Sequence, residues 1–592
     1  MRFVPPQLPF LLLLISLSDF DIARPLMCQE PSASLKEADA DYREGVAALS
    51  RNDIKTAKSK FEAVIKLAPA AEQGHSALGA VLVREGQIAA GIRELQKALA
   101  IKADDGSAQM NLALAYEQTG QPANALPLFA KVESTAVAEG RALPPYVQAS
   151  YVRALVATGQ TAGAANRMKH MIAQDAGNPE LHDELGSIYA QTRDWEQAEQ
   201  EFNEAINLKE NLAVAHLHLG FVLQAENKSG ATIEWMKAYE FSPQDAKVAL
   251  EVGKALADAG HDERAVPVLE EAHRLDPRSI AAADQLALVL QRVNRVEDAI
   301  PLLKSVVEAE PRNANALINL GLALSQVHRA TDAVPFLQRA IGMRPSDATA
   351  HQDLAAAYLQ INRTDEAVAE LKAALKLAPD SPQMHYDLGV AYKLQDDAND
   401  AIQELEAAQK LNPSAYEPAY VLGQLYMQAG RYEQAASQLE ISLKLHPANG
   451  DAWAMLGSVY NKLDRLQDAV TALREAIRRL PSQADSHLLL AAVLIKQNQP
   501  TEAAEERKVA ADLMRVHMNM QRAEVATNSG KSLMASGKVD DAIAQFRDAL
   551  AFDPGYVEAH TELAEALEKQ GKTAEAEAER AQAKSFANRQ QE

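Results

Sequence analysis

The sequence predicts an all-α solenoid, a linear stack of short paired helices. Three series of residues predict it, each advancing by 34 positions. Prolines stand at Pro277, Pro311, Pro345, Pro379, Pro413, Pro447 and Pro481. Small residues stand at Gly253, Ala287, Gly321, Ala355, Gly389, Gly423 and Gly457. Alanines stand at Ala265, Ala299, Ala333, Ala367, Ala401, Ala435 and Ala469. A fixed step of this length marks a chain built from repeated supersecondary units.

Residues 416–449 show what one unit is. Ala419, Leu422, Gly423 and Tyr426 lie at the i, i+3, i+4, i+7 spacing of one apolar helix face. Past Gly430, the residues Ala435, Leu439 and Leu443 form the buried stripe of a second helix. Pro447 ends that helix, because it lacks an N–H and would clash with the preceding turn. Glycine inside a helix costs about 1 kcal/mol relative to alanine. The recurrence of Gly423 and its equivalents therefore predicts close helix contact. Two short helices cannot cover both apolar faces, so each unit buries its remainder on the next.

These residues resemble the tetratricopeptide repeat. Counting from the start of a unit, Gly or Ala falls at position 8, Tyr or Leu at 11, Ala at 20, Leu or Phe at 24 and Pro at 32. Trp453, Leu456, Gly457 and Tyr460 match the first helix of that pattern, and Ala469, Leu473, Ala476 and Pro481 match the second. Seven units in register carry the resemblance across 246–483. It implies a right-handed superhelix of about sixteen repeats, whose first helices line a concave groove.

Taken in order, the chain starts with Arg2 and the apolar run Leu8 to Leu17, which resembles a secretory signal peptide over residues 1–23. The run is shorter than the roughly 20 residues that span a bilayer, so no transmembrane segment is expected once the signal is removed. This predicts a secreted, periplasmic or envelope-facing protein; a cytoplasmic one is the alternative. Ser18 and Ala23 offer cleavage positions. Cys28, the single cysteine, follows Pro25, Leu26 and Met27 and so lacks the small residues of a lipoprotein site. One cysteine excludes an internal disulfide and a cysteine-based zinc site. Residues 24–37 read as a linker.

An N-terminal block of repeats is expected over 38–139, with Gly45, Ala57, Phe61 and Pro69 in the first unit and Ala113, Tyr116, Ala125 and Phe129 in the third. An insertion at 140–144 ends in Pro144. Residues 145–245 form a degenerate block, in which Gly220 to Pro243 is one residue short and one turn is expected to be correspondingly shorter. The regular array fills 246–483. In 484–522 no proline stops the second helix, which is expected to run on through about 518–522. Residues 523–592 hold a final pair of repeats, with Arg580 and the acidic Glu575, Glu577 and Glu579 giving the polar outer face an exposed solenoid end needs.

Composition agrees with helices: hydrophobic residues make up 47% but aromatics only 5%. The formal charge is -22, from 81 acidic and 59 basic residues, which opposes nucleic-acid binding. No catalytic constellation is found, and no cofactor or metal is expected. Gly530-Lys531-Ser532 matches the end of a phosphate loop, but Val525 stands where that motif needs glycine. His216 and His218, two apart on a helix, point to different faces, a poor geometry for one metal. His351 and His385, at position 4, belong to the packing face. No His-Glu-x-x-His or Gly-x-Ser-x-Gly sequence occurs.

The chain is therefore expected to act as a non-catalytic scaffold or adaptor. Positions 2, 5, 6, 9 and 13 share one face of each first helix and present Asp183, Glu184, Glu251, Lys254, Asp284, Asn319, Asp353 and Asp387, with Tyr386 and Tyr420. Carboxylates beside tyrosines suit an extended peptide with basic side chains. Two known uses of the family are not matched. Arg153 and Lys254 are too isolated to make a carboxylate clamp over three repeats, and Asn111, Asn319 and Asn528 are too scattered to make an asparagine ladder. The resemblance further implies assembly of an envelope or secretion complex. Two alternatives stand beside that reading: a regulatory subunit for an enzyme carried in trans, and an RNA-binding helical repeat protein, the second opposed by the strict step and the acidic balance.

Overall fold

The computed structural model describes residues 33–591. The expected signal peptide, Cys28 and most of the expected linker lie outside the described residues. Among the described residues there are 31 helices and no strand. The chain divides into two compact units, Met1–Ala309 and Glu310–Glu592, each a succession of helix pairs packed on their sequence neighbours.

The specimen unit forms as its pattern demands. Helix Glu417–Gln428 is followed by helix Tyr432–Leu445, and Gly430 turns the chain between them at φ +70°. The same left-handed turn is made without glycine by Asn294, His328, Asn362, Asp396, Asp464 and Asn498. Asn and Asp tolerate that conformation because a short polar side chain can bond locally. First helices are also capped: Asp245, Ser279, Asn313, Asp347, Ser381 and Asn449 each accept a hydrogen bond from a backbone N–H of the first turn. These caps continue the 34-residue step.

The small residue at position 8 has the steric task expected of it. A Cβ on Gly389 would lie 2.7 Å from Leu405 Cγ, and one on Gly457 would lie 2.6 Å from Leu473 Cγ. Leu405 and Leu473 are themselves fully buried. Glycine here is the condition for the two helices of a pair to touch.

Three boundaries differ from the sequence reading. The first helix begins at Ala33, inside the stretch read as linker, because Ala33 to Glu37 contains good helix formers and no breaker. In the short repeat the missing residue is lost from the second helix, which has only 11 residues (Ala231–Phe241), and the turn before it, closed by Gly230 at φ +108°, is longer than its equivalents. The largest difference is the helix Pro500–Ala535, which does not stop near 518–522 but continues for 36 residues into the next repeat. Arg515 stands where the 34-residue step would place a proline, and the segment around it holds Ala, Leu, Met and Arg with no Gly or Pro. Nothing ends the helix.

Candidate functional site

The face formed by positions 2, 5, 6, 9 and 13 differs between the two units. In the Met1–Ala309 unit its charges are largely engaged with one another. Asp183 is 3% exposed, and its Oδ1 lies 2.9 Å from His218 Nδ1 on the following first helix. Glu184 beside it is half-buried; burial and the neighbouring Asp183 push its carboxyl up, opposed by Arg153. Glu251 and Lys254 pair at 3.3 Å one helical turn apart. Asp284 is half-buried.

In the Glu310–Glu592 unit the equivalent residues are half-buried and less neutralised. Asn319, Asp353, Tyr386, Asp387 and Tyr420 all lie at this intermediate depth. Gln352 Nε2 donates to Asp387 Oδ2 at 2.6 Å, joining consecutive first helices, and Gln383 Nε2 donates to Oδ1 at 2.9 Å. Burial still pushes the Asp387 carboxyl up against those two bonds. Asp353 has no such support: its Oδ2 is buried with no hydrogen-bond partner among the described residues. Burial, reinforced by Asp347, pushes its carboxyl up to about 6. Burial also raises the phenols of Tyr386 and Tyr420, with Glu417 adding to the effect at Tyr386. The unit thus offers a row of acceptors and phenols, one of whose carboxylate oxygens has no partner among the described residues.

Sequence reasoning missed Gln352 and the Lys393–Gln424 contact, which tie successive first helices together on this face, and Gln383, which bonds to Asp387 within one helix. It also missed a repeated latch. A histidine at position 4 meets a glutamate 19 residues on in His75–Glu94, His182–Glu201, His351–Glu370, His385–Glu404, His487–Glu506 and His560–Glu579; His216–Glu234, in the short repeat, is the same contact. In five of the seven, the histidine Nε2–H also donates to a backbone carbonyl six residues back, as His385 does to Pro379 O at 3.0 Å. Trp453 Nε1–H makes that bond to Pro447 O in its own repeat. The signal was available as the 19-residue His-to-Glu spacing.

The remaining chemical candidates resolve as packing. His216 bonds to Glu234 while His218 bonds to Asp183, so the two do face apart. Gly530, Lys531 and Ser532 lie inside the long helix, with Lys531 paired to Glu558. Among the described residues no cluster of His, Cys, Asp or Glu is arranged to hold a metal ion. Among them, too, no helix is long and apolar enough to cross a membrane.

Comparison with known families gives repeated matches along the chain. Models described as tetratricopeptide repeat match residues 42–106, 76–138, 285–348, 420–483 and 462–512, then 155–218 and 324–386, then 382–414. A model described as TPR repeat matches 530–571. Together they cover more than half of the chain. No curated protein matches. Among solved structures, the chain is similar to the Cut9–Hcn1 hetero-tetramer of the APC/C at 17% identity, covering 84% of this chain and 96% of that one with a TM-score of 0.31. It is similar to YrrB, described as a TPR protein with an unusual peptide-binding site, at 22% identity, covering 32% and 96% with a TM-score of 0.29. MamA from Desulfovibrio magneticus is similar at 23% identity, covering 28% and 95% with a TM-score of 0.28.

Proposed function

The chain belongs to the tetratricopeptide repeat family, and from that premise we propose that it is a non-catalytic scaffold binding basic protein segments along the first-helix face of its Glu310–Glu592 unit. The observation that carries this reading is Asp353. A buried carboxylate oxygen without a hydrogen bond is costly to keep, and an incoming ammonium or guanidinium group would satisfy it. Asp387 in the next repeat repeats the acceptor, and Tyr386 and Tyr420 add rigid apolar area with a polar tip. A peptide lying across the stack would meet one such group per repeat. The assembly served is read as an envelope or secretion complex. Arg2 with the apolar run Leu8 to Leu17, and the family resemblance, support that placement.

The test is fluorescence anisotropy of an extended lysine-rich peptide titrated with the full chain. Charge reversal, Asp353→Lys with Asp387→Lys, is expected to weaken binding by about tenfold or more, equivalent to about 1.4 kcal/mol. Binding is also expected to weaken as pH falls through about 6, where Asp353 takes up its proton. A reversed variant that binds the peptide as tightly as the wild type would remove the basis for this assignment.

A further inference from the structure

The middle of the long helix Pro500–Ala535 is bare. Ala503 and Ala510 are buried on its N-terminal part, where it packs on helix Ala484–Lys496. Ala523, Ala526, Thr527 and Gly530 are buried on its C-terminal part. Between Ala511 and Arg522 no residue is buried, so packing within the chain does not dictate the side chains of this span. The span nevertheless gathers methionine. Among the described residues four methionines are exposed, Met343, Met514, Met518 and Met520, and three of the four stand here. Leucine forms helix as well as methionine does, so neither packing nor helix propensity calls for sulfur. His517, also exposed, stands among them.

Helical spacing brings three of these side chains together. Met514 and Met518 are four residues apart, and Met514 and His517 three apart. These are the separations at which neighbours on a helix meet, with about 5–6 Å between Cβ atoms. At 3.6 residues per turn the three span about 100° of the helix surface, whereas Met520 lies about 160° around from Met518. Methionine turns about three side-chain bonds, so both sulfurs can be drawn to one point beside the imidazole. His517 offers a lone pair there, because Gln521 Nε2–H donates to His517 Nε2 at 3.1 Å from the next turn. A metal ion would take that lone pair in place of the amide proton. Asp512, the one carboxylate of the span, lies on the far side of the helix from Met514 and pairs with Arg515 at 2.8 Å. Two thioethers and an imidazole nitrogen without a carboxylate make a soft donor set, different in kind from the His, Cys, Asp and Glu clusters that are absent among the described residues. Calcium and magnesium need oxygen ligands; thioether sulfur selects copper(I).

We propose that Met514, His517 and Met518 form a copper(I) site on the bare span, with the two Sδ atoms and His517 Nε2 as ligands. The three donors come from one helix face, so the solvent side of the ion stays open and the ion exchanges with ligands in solution.

Copper(I), presented to the full chain as its bicinchoninate complex under ascorbate and without oxygen, decides the matter. Every sample carries Cys28→Ala, because a thiolate binds the ion by itself. This parent is expected to withdraw copper(I) from the indicator. Met514→Leu with Met518→Leu keeps the apolar character and the helix propensity while removing both sulfurs, and is expected to weaken binding at least tenfold. His517→Ala is expected to weaken it as well. Met343→Leu, the same change at an exposed methionine elsewhere, is expected to leave it unchanged. Circular dichroism of each variant verifies that the helices persist. A parent that withdraws no copper(I) overturns the proposal. So does a double variant that binds as tightly as the parent, or a loss in Met343→Leu as large as in the double variant, since either places the ion elsewhere. Unchanged affinity in His517→Ala overturns the three-ligand set.

Discussion

Two neighbouring regions of the Glu310–Glu592 unit show what a single missing residue type does to a repeat. In the regular pairs up to Lys496, a left-handed turn follows each first helix and a proline follows each second one, apart from the last. Each helix consequently folds back on the one before it, and its apolar face is covered. In Pro500–Ala535 the proline is gone, the helix goes straight on, and Val509, Val516 and Met520 are left in the open. The packing rules on either side are the same: Gly530 still admits Phe546, as Gly389 admits Leu405. The fold-back, rather than the apolar pattern, separates a buried stripe from an exposed one.

The sharpest way to break this comparison is to enlarge a side chain in each region. Gly389→Leu would force atoms into the space of Leu405 Cγ, 2.7 Å from the new Cβ, and of the Ala401 carbonyl at 3.2 Å. Overpacking of this kind costs about 1–3 kcal/mol. Because stability in a stack is close to a sum over neighbours, hydrogen exchange should rise locally in Pro382–Leu394 and Ala398–Leu411 while distant pairs keep their protection. Ala511→Leu, at an exposed position of the bare span, should change stability by less than about 0.5 kcal/mol. Equal losses in urea unfolding would mean that the span is packed after all.

A smaller effect is expected from the histidine latch, which weakens where the regular array ends. His385 is tied at both ring nitrogens, through Nε2–H to Pro379 O at 3.0 Å and through Nδ1 to Glu404 Oε2 at 2.6 Å. His487, on the helix just before the bare span, keeps Glu506, but its buried Nε2 has no partner among the described residues. His385→Ala strands a carbonyl and a carboxylate and should cost about 1–2 kcal/mol. His487→Ala strands only one group and should cost less. The difference in urea midpoint between the two variants measures the carbonyl bond, and a larger loss at His487 would show that the latch does not work this way.

Much of this architecture was legible in the sequence because the repeat averages out local ambiguity. Proline every 34 residues fixed where second helices end, and the Gly389 and Gly457 series fixed which faces touch. What escaped were features whose signal is the absence of something or a pairing at a distance. The run-on of Pro500–Ala535 is a missing proline, readable as irregularity but silent about where the helix stops. The short repeat hid its deletion in the helix because turn residues and helix residues are interchangeable in a spacing count. On the candidate face, exposure could be assumed but not known. Asp183 is an acid in the sequence and a buried partner of His218 in the fold. Asp353, identical in type, has a buried carboxylate oxygen that no group among the described residues satisfies.

The least of the expected effects comes from Asp353, and it carries a sign. Its folded-state carboxyl titrates near 6 because burial disfavours the charge, against about 3.9 in an unfolded chain. Between those two values the folded protein holds a proton that the unfolded chain has released. Stability therefore falls as pH rises from about 4 to about 6 and stays reduced above that. Asp353→Asn removes the titration. At neutral pH it should stabilise the Glu310–Glu592 unit by on the order of 1 kcal/mol after allowance for solvent screening at a half-buried site. Below about pH 4, where both states of the wild type are protonated, the gain should vanish. Asp512→Asn makes the same chemical change in the bare span, where the carboxylate pairs with Arg515 at 2.8 Å on an open helix surface, and should move stability by no more than about 0.5 kcal/mol. Urea unfolding at pH 4 and pH 7 separates these cases, because only the first variant should gain on moving to the higher pH. If Asp353→Asn destabilised the protein at neutral pH, the wild-type carboxylate would have a partner in the folded chain, and the argument for a basic ligand at that position would lose its footing.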